Sequence, residues 1–186
     1  MTLRQPKSPE THTVTDDAFE AARAGAEATY LYGNLDLSRE TRLPRGFSCT
    51  LQIEGQIAST NLLGSEAVSG GGFYSVRGYE EGEVIGDNGG VLRQELRLPA
   101  LQPASNWFGA ETPDSLSLYA FQDAAYLWNT DELEGEEPFE LASLGLGLDY
   151  QFGRVLTLQL AYGWQLTATG RGNDDSRLHL ALTAGF

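Results

Sequence analysis

Hydrophobic and polar residues alternate along most of this chain, and the alternation is cleanest in the C-terminal half. In VLTLQLAYGWQLT (155–167), large apolar side chains occupy one set of alternate positions, and small or polar ones occupy the other. A period of two is that of a β-strand whose two faces lie in different surroundings. The same alternation recurs at 28–38, 46–59, 91–99, 115–129, 141–152 and 177–186. The pattern predicts an all-β, antiparallel protein of about seven strands, most near the roughly ten residues that cross a membrane when tilted.

The N-terminal segment lacks this alternation. Residues 1–27 are predicted to be a flexible or short helical leader, with Asp16 or Asp17 capping a helix, and the strands occupy residues 28–186. The opening MTLRQPKSPETHTVTDDAF contains no apolar core of about 7 to 15 residues, so it does not resemble a signal peptide. If the protein works outside the cytoplasm, we expect this chain to be a fragment or its export signal to be missing.

Alternation of this kind occurs in two classes of β protein. A soluble sandwich or lipocalin-like barrel points its apolar face inward, whereas a transmembrane barrel turns that face to lipid. The polar faces here hold many Gly, Gln, Thr, Asp and Glu residues, as a hydrated lumen does. Connections at 43–46 and 151–155 are tight, and others are longer and polar, which matches the asymmetry of outer-membrane barrels. We predict a transmembrane β-barrel, with the soluble fold as the alternative.

Composition removes several classes of function. A formal net charge of −14 and a pI near 4.4 argue against nucleic acid as a partner. Cys49 is the sole cysteine, and His12 and His179 lie far apart, so no disulfide, cysteine metal site or histidine ligand pair is expected. No Ser/His/Asp set or paired acids point to catalysis, and we predict no enzyme activity, metal or cofactor. The acidic segment 131–138 is open to Ca²⁺ binding but is interpreted as a solvated loop.

A glycine-rich segment at 62–99 contains the most specific signal. It reads LLGSEAVSGGGFYSVRGYEEGEVIGDNGGVLRQELRLP, with Arg77 isolated among glycines and apolar residues. This stretch resembles the signature of the two-partner-secretion transporters, the TpsB or ShlB/FhaC/HecB haemolysin secretion/activation family of the BamA-like outer-membrane superfamily. The residues that carry the resemblance are Ser65, Glu66, Gly71, Gly72, Ser75, Val76, Arg77, Gly78, Tyr79, Gly86, Asp87, Glu95 and Leu96.

The resemblance implies where this segment lies. In the superfamily the VRGF or VRGY sequence is at the tip of a long loop folded back into the lumen, which here would span about residues 60–90. A second family element matches Phe121 to Ala125, although Ala125 stands where the family has glycine. It implies an ion pair between Arg77 and Asp123. A guanidinium holds a carboxylate with two parallel hydrogen bonds, and glycines allow sharp chain reversals. The alternatives are a surface loop with an unrelated arginine and an anion-binding loop.

The chain end resembles another family feature. A last strand that ends in Phe186, with apolar residues at alternate positions before it, resembles the sorting signal read by the outer-membrane barrel assembly machinery. Complete family members also have periplasmic POTRA domains and a barrel of about sixteen strands, so this chain would be the C-terminal half of such a barrel. Residues 1–26 show no resemblance to the family.

The implied function is export. The resemblance implies a bacterial outer-membrane translocation pore that exports, and so activates, a large secreted haemolysin- or adhesin-type protein, with membrane lipid as its surroundings. The alternatives are an outer-membrane protein assembly or insertase factor of the same superfamily, and a soluble β-sheet binding module.

Overall fold

The computed structural model describes residues 2–4, 19, 21–109, 112–131, 137–170 and 175–185, and these form an almost entirely β structure. The strands are β1 (Thr2–Arg4), β2 (Tyr32–Arg42), β3 (Ser48–Ala58), β4 (Val68–Gly70), β5 (Val84–Gly86), β6 (Asn88–Arg97), β7 (Asp114–Trp128), β8 (Phe139–Phe152), β9 (Leu156–Gln165) and β10 (Ser176–Ala184). One antiparallel sheet has the order β1-β2-β3-β6-β7-β8-β9-β10, and β4 pairs with β5 in a separate hairpin. The seven long strands of the sheet overlap the seven alternating segments, although β2 begins and ends four residues later than its segment at 28–38.

Among the described residues, helical structure is limited to short pieces. Pro44–Gly46 form a 3₁₀ turn between β2 and β3, and helix α1 (Pro103–Phe108) lies between β6 and β7. In the described part of the chain, no helix has the length and apolar character needed to cross a bilayer. Within the predicted leader, Thr2–Arg4 pair with β2, and the Arg23 amide donates to the Phe19 carbonyl at 2.8 Å, closing one helical turn. The leader therefore contains both a strand and a helical turn.

The two faces of the sheet differ as the alternation predicts. In β10, Leu178, Leu180 and Leu182 are 61%, 64% and 59% exposed, whereas His179 between them is 7% exposed. We call the leucine-bearing side the outer face and the opposite side the inner face. A soluble sheet would bury the apolar face, because each covered leucine contributes about 1.5–3 kcal/mol. The exposed leucines agree with the predicted barrel wall, whose outer face meets lipid, and disagree with the soluble alternative, which would cover them.

The connections are divided between the two ends of the sheet. The loop 59–87, the end of β7 and the end of β9 lie at one end, and the turns at 43–47 and 153–155 lie at the other. The connection between β6 and β7, described at 98–109 and 112–113, breaks the expected asymmetry, because it is long yet lies at the turn end. Asp114 closes it by accepting hydrogen bonds from the amides of Ala104 and Ser105 at 2.7 and 3.0 Å.

The buried core lies between the inner face and the 59–87 loop. Val76, Tyr79 and Val84 of the loop pack against inner-face residues of β6, β7 and β8, namely Val91, Ala125, Leu127 and Leu141. A second cluster joins Phe73 of the loop to Tyr119, Phe121 and Ala161 of the wall. The loop, rather than a second sheet, thus covers the inner face.

Candidate functional site

The loop at 59–87 enters the inner side of the sheet as a hairpin. Its strands β4 and β5 pair from Val68↔Gly86 to Gly70↔Val84, and residues 71–83 form the tip. At the start of the tip, Gly71 and Gly72 adopt φ values of 99° and 104°. A Cβ atom on Gly71 would lie 2.4 Å from the Glu80 carbonyl oxygen, so the reversal requires glycine there.

Arg77 at the tip forms a buried ion pair with Asp123 on β7. Its Nε donates to Asp123 Oδ2 at 2.7 Å and its Nη2 donates to Oδ1 at 2.8 Å, which is the bidentate arrangement. The Arg77 amide also donates to Oδ2 at 3.1 Å. Arg77 is 1% exposed and Asp123 is fully buried. The ion pair that the resemblance implied is present.

Two further wall residues hold the Arg77 guanidinium. Nη1 donates to Glu95 Oε1 at 2.6 Å, and the group lies 3.8 Å above the centre of the Phe121 ring. Burial alone would lower the pKa of Arg77, but the hydrogen bonds and charges of Asp123 and Glu95 outweigh it and raise that pKa above its ordinary value. Arg77 is therefore a permanent cation, and we call it with Asp123 and Glu95 the tip anchor.

The tip anchor continues into a row of charges along the wall. Arg97 on β6 donates to Glu95 Oε2 from Nε and Nη2 at 2.9 and 2.6 Å, and from Nη1 to Asp149 Oδ2 at 2.6 Å. Glu95 therefore bridges the loop arginine and a wall arginine, and its orientation is fixed from both sides. The row lines a polar cavity of about 260 Å³ beneath the loop.

The next two motif residues contact the last strands. The Gly78 amide donates to His179 Nε2 on β10 at 3.0 Å, and Gln165 Nε2 donates to the Gly78 carbonyl at 2.8 Å. The Tyr79 hydroxyl lies 2.7 Å from the carbonyl oxygens of both Ala142 and Thr167. Since His179 accepts through Nε2, its imidazole is neutral in this contact.

Glycines in the wall make room for the tip. A Cβ atom on Gly163 of β9 would lie 2.7 Å from the Gly78 amide nitrogen and 2.8 Å from its Cα. On β8, a Cβ atom on Gly145 or Gly147 would lie 2.2 Å from the ring of Phe121 or Tyr119 respectively. The small residues on the inner face are thus packing positions for the loop and for the rings beneath it.

A second buried charge cluster holds the base of the loop. Asp87, fully buried at the loop's end, accepts from Arg23 Nη1 and Nη2 at 2.5 and 3.0 Å, from the Leu62 amide at 2.8 Å and from the Thr130 amide at 3.2 Å. Arg23 also donates to Asn129 Oδ1 at 2.8 Å. We call Arg23 and Asp87 the root anchor, because they join both ends of the loop to the segment before β2.

Breaking the root anchor should loosen the loop base. In Asp87→Ala, Arg23 loses its carboxylate partner and two backbone amides lose their acceptor. We expect this loss to lower the free energy of opening the loop base by about 2–3 kcal/mol. Hydrogen exchange at the Leu62 amide should accelerate by more than about tenfold. Exposed Glu140→Ala is the matched control and should leave that amide unchanged. Unaltered Leu62 exchange in Asp87→Ala would contradict the assigned role.

Most of the predicted motif residues lie in the 59–87 loop or on the part of the wall that this loop contacts. Glu66 accepts from the Tyr32 hydroxyl at 2.8 Å, and a Cβ atom on Gly86 would lie 3.0 Å from Leu127, so both belong to the loop base. Phe186 and residues 132–136 of the acidic segment lie outside the described residues. No cluster of potential metal ligands occurs among the residues the structure describes. Sequence reasoning missed Arg23, Gly163 and His179, which have no motif around them, and Arg97, which follows the motif residues Glu95 and Leu96 but was not counted with them.

The chain is similar to known proteins. The family model for the haemolysin secretion/activation protein ShlB/FhaC/HecB matches residues 11–150. It therefore includes residues 11–26, for which the expectation of no resemblance was wrong. The heme/hemopexin transporter protein HuxB of Haemophilus influenzae strain 86-028NP is 29% identical over 121 residues, which is 63% of this chain and 20% of HuxB. HuxB of a second strain is 30% identical over 119 residues, with 62% and 20% covered.

A solved structure has the same fold. CdiB from Acinetobacter baumannii superposes with a TM-score of 0.61 and 24% identity, covering 84% of this chain and 27% of CdiB. The chain spans about a fifth of the length of the curated relatives it matches.

Proposed function

This chain belongs to the ShlB/FhaC/HecB family of haemolysin secretion/activation proteins, and from this premise we propose that it forms part of an outer-membrane pore that exports a large secreted protein. The family consists of outer-membrane β-barrel transporters rather than enzymes. The exposed leucines of the outer face agree with that location, because lipid is the solvent that such a face requires.

The buried tip anchor is the observation that supports the proposal. A loop that only capped the barrel end would need no fully buried ion pair with the wall, yet Arg77 reaches Asp123 and Glu95 inside it. All contacts of the tip described above are non-covalent. We propose that the docked loop closes the pore and that a passing polypeptide displaces it.

The partner and its activation form the finer part of the proposal. We propose that the exported protein is a large haemolysin- or adhesin-type protein that becomes active once outside, and that its folding there drives transport. The family model that matches is that of the secretion branch, which favours export over the assembly of other outer-membrane proteins. Insertion of the barrel itself would depend on the assembly machinery and on Phe186.

The proposal is tested by replacing the tip anchor with a reducible bond. Arg77→Cys and Asp123→Cys are introduced together with Cys49→Ser, and the chain is produced in its natural gene context with a tagged copy of the secreted protein proposed as its cargo. We expect the tagged protein in the medium under reducing conditions and a loss of more than about tenfold after oxidation. The single cysteine variants are the matched controls. Equal export with the disulfide formed would overturn the proposal.

A further inference from the structure

Arg93 on β6 lies in a cluster of charged residues and has no carboxylate partner among the residues that the structure describes. The inner face around the tip holds three arginines, Arg77, Arg93 and Arg97, and three acids, Glu95, Asp123 and Asp149. Within the described residues, ion pairs engage every member of this set except Arg93.

Arg93 instead makes only long contacts with the loop backbone. Its Nη1 lies 3.2 Å from the Tyr74 carbonyl oxygen and its Nη2 lies 3.3 Å from that of Phe73. Its Nε is buried and has no hydrogen-bond partner in the described part of the chain. A guanidinium with a buried unpaired donor is poorly satisfied in the docked state.

The carboxylate best placed for Arg93 is Asp123. The two residues are direct partners in the β6–β7 register, so both project from the inner face with Cβ atoms about 5 Å apart. Arg77 now occupies both oxygens of Asp123. Of the other nearby acids, Glu95 is already paired with Arg97, and Glu54 on β3 lies diagonal to Arg93, opposite Val91, and forms no ion pair with it. Asp123 thus lies within reach of a second arginine, which the loop arginine displaces.

We propose that Arg93 exchanges with Arg77, forming an ion pair with Asp123 when the loop tip leaves. The proposal rests on the proposed function only in that the loop leaves during export. Departure of Arg77 alone would leave three acids against two arginines and Asp123 without a partner. When Asp123 pairs with Arg93 instead, the Nε of Arg93 gains a hydrogen-bond acceptor and the undocked state is stabilised. The loop therefore opens at a lower free-energy cost.

The experiment follows loop position rather than export. Nitroxide labels at Tyr74→Cys, a position 69% exposed, and at Arg154→Cys in the β8–β9 turn report the tip distance by pulsed EPR in lipid bilayers. Cys49→Ser removes the native thiol. Tyr79→Phe is added to bring the undocked fraction into a measurable range, because it removes hydroxyl contacts without touching the charge cluster.

Arg93→Gln should lower the undocked-to-docked ratio about fivefold, and Arg93→Lys, which keeps the cation, should restore it. In an Asp123→Asn background the same Arg93→Gln change should alter the ratio by less than about twofold. A merely structural role in holding the loop carbonyls would instead raise the ratio in both backgrounds.

The exchange would be overturned if Arg93→Gln raised the undocked-to-docked ratio. It would also be overturned if Arg93→Gln lowered that ratio equally with Asp123 present and in the Asp123→Asn background. These outcomes are independent of the disulfide experiment. Continued export with an oxidised tip would refute the pore-closing role of the loop, whereas the EPR ratios would still report whether Arg93 stabilises the undocked state.

Discussion

Replacing Asp123 with alanine should release the loop tip from the wall. Arg77 would keep only Glu95 as an ionic partner while remaining buried, and an undercompensated buried charge costs about 3 kcal/mol. Hydrogen exchange at the Gly78 amide, which is bonded to His179 and not to Asp123, should accelerate by about a hundredfold. The Gly78 amide thus reports tip docking, and the substitution at Asp123 removes no hydrogen bond of that amide.

Two comparisons make this result specific to the ion pair. Exposed Asp36→Ala removes the same charge from β2 and should leave Gly78 exchange unchanged. Combining Arg77→Asp with Asp123→Arg restores opposite charges and should recover part of the protection that each single variant loses. If the double variant exchanges as fast as both singles, the pair does not hold the tip.

Placing a side chain on Gly163 should have a comparable effect without changing any charge. A Cβ atom there meets backbone atoms, at 2.7 Å from Gly78 N and 2.9 Å from Arg77 C, so no flexible side chain can move aside. Gly163→Val should cost about 2–3 kcal/mol of tip docking through overpacking, and the tip should lift from β9. The same Gly78 exchange measurement applies, together with faster proteolysis within residues 71–83.

A strand glycine with free space provides the control for Gly163. A Cβ atom on Gly55 of β3 would lie 3.7 Å from its nearest neighbour, the Gly89 carbonyl oxygen, which is ordinary contact. Gly55→Ala should therefore leave tip docking intact. If Gly163→Val is as well docked as Gly55→Ala, the tip does not lie against β9 as described.

The fold was largely predictable because its signal is local. Alternation assigns each strand residue to a face, and the outer face is exposed where leucines such as Leu146 and Leu180 were expected to face lipid. The connection at 98–113 could not be predicted from alternation, because its helix α1 depends on the distant acceptor Asp114.

The site was predictable only where a motif marks it. Arg77 and Asp123 came from the family resemblance, and alternation put Asp123 on the polar face. Arg23 lies 64 residues from Asp87 and His179 lies 101 residues from Gly78, so neither contact leaves a local pattern. The inner-face glycines were interpreted as part of a hydrated lumen, because a sequence does not reveal which surface will press against a small residue.

The contacts of the loop tip also set an order of assembly. The tip emerges between β3 and β6, yet Tyr79 needs the Thr167 carbonyl after β9 and Gly78 needs His179 on β10. A chain made from its N-terminus presents Arg77 about a hundred residues before His179 exists. The tip can complete its docking only after β10 has joined the sheet, so a buried Gly78 amide is a marker of a sheet assembled as far as β10.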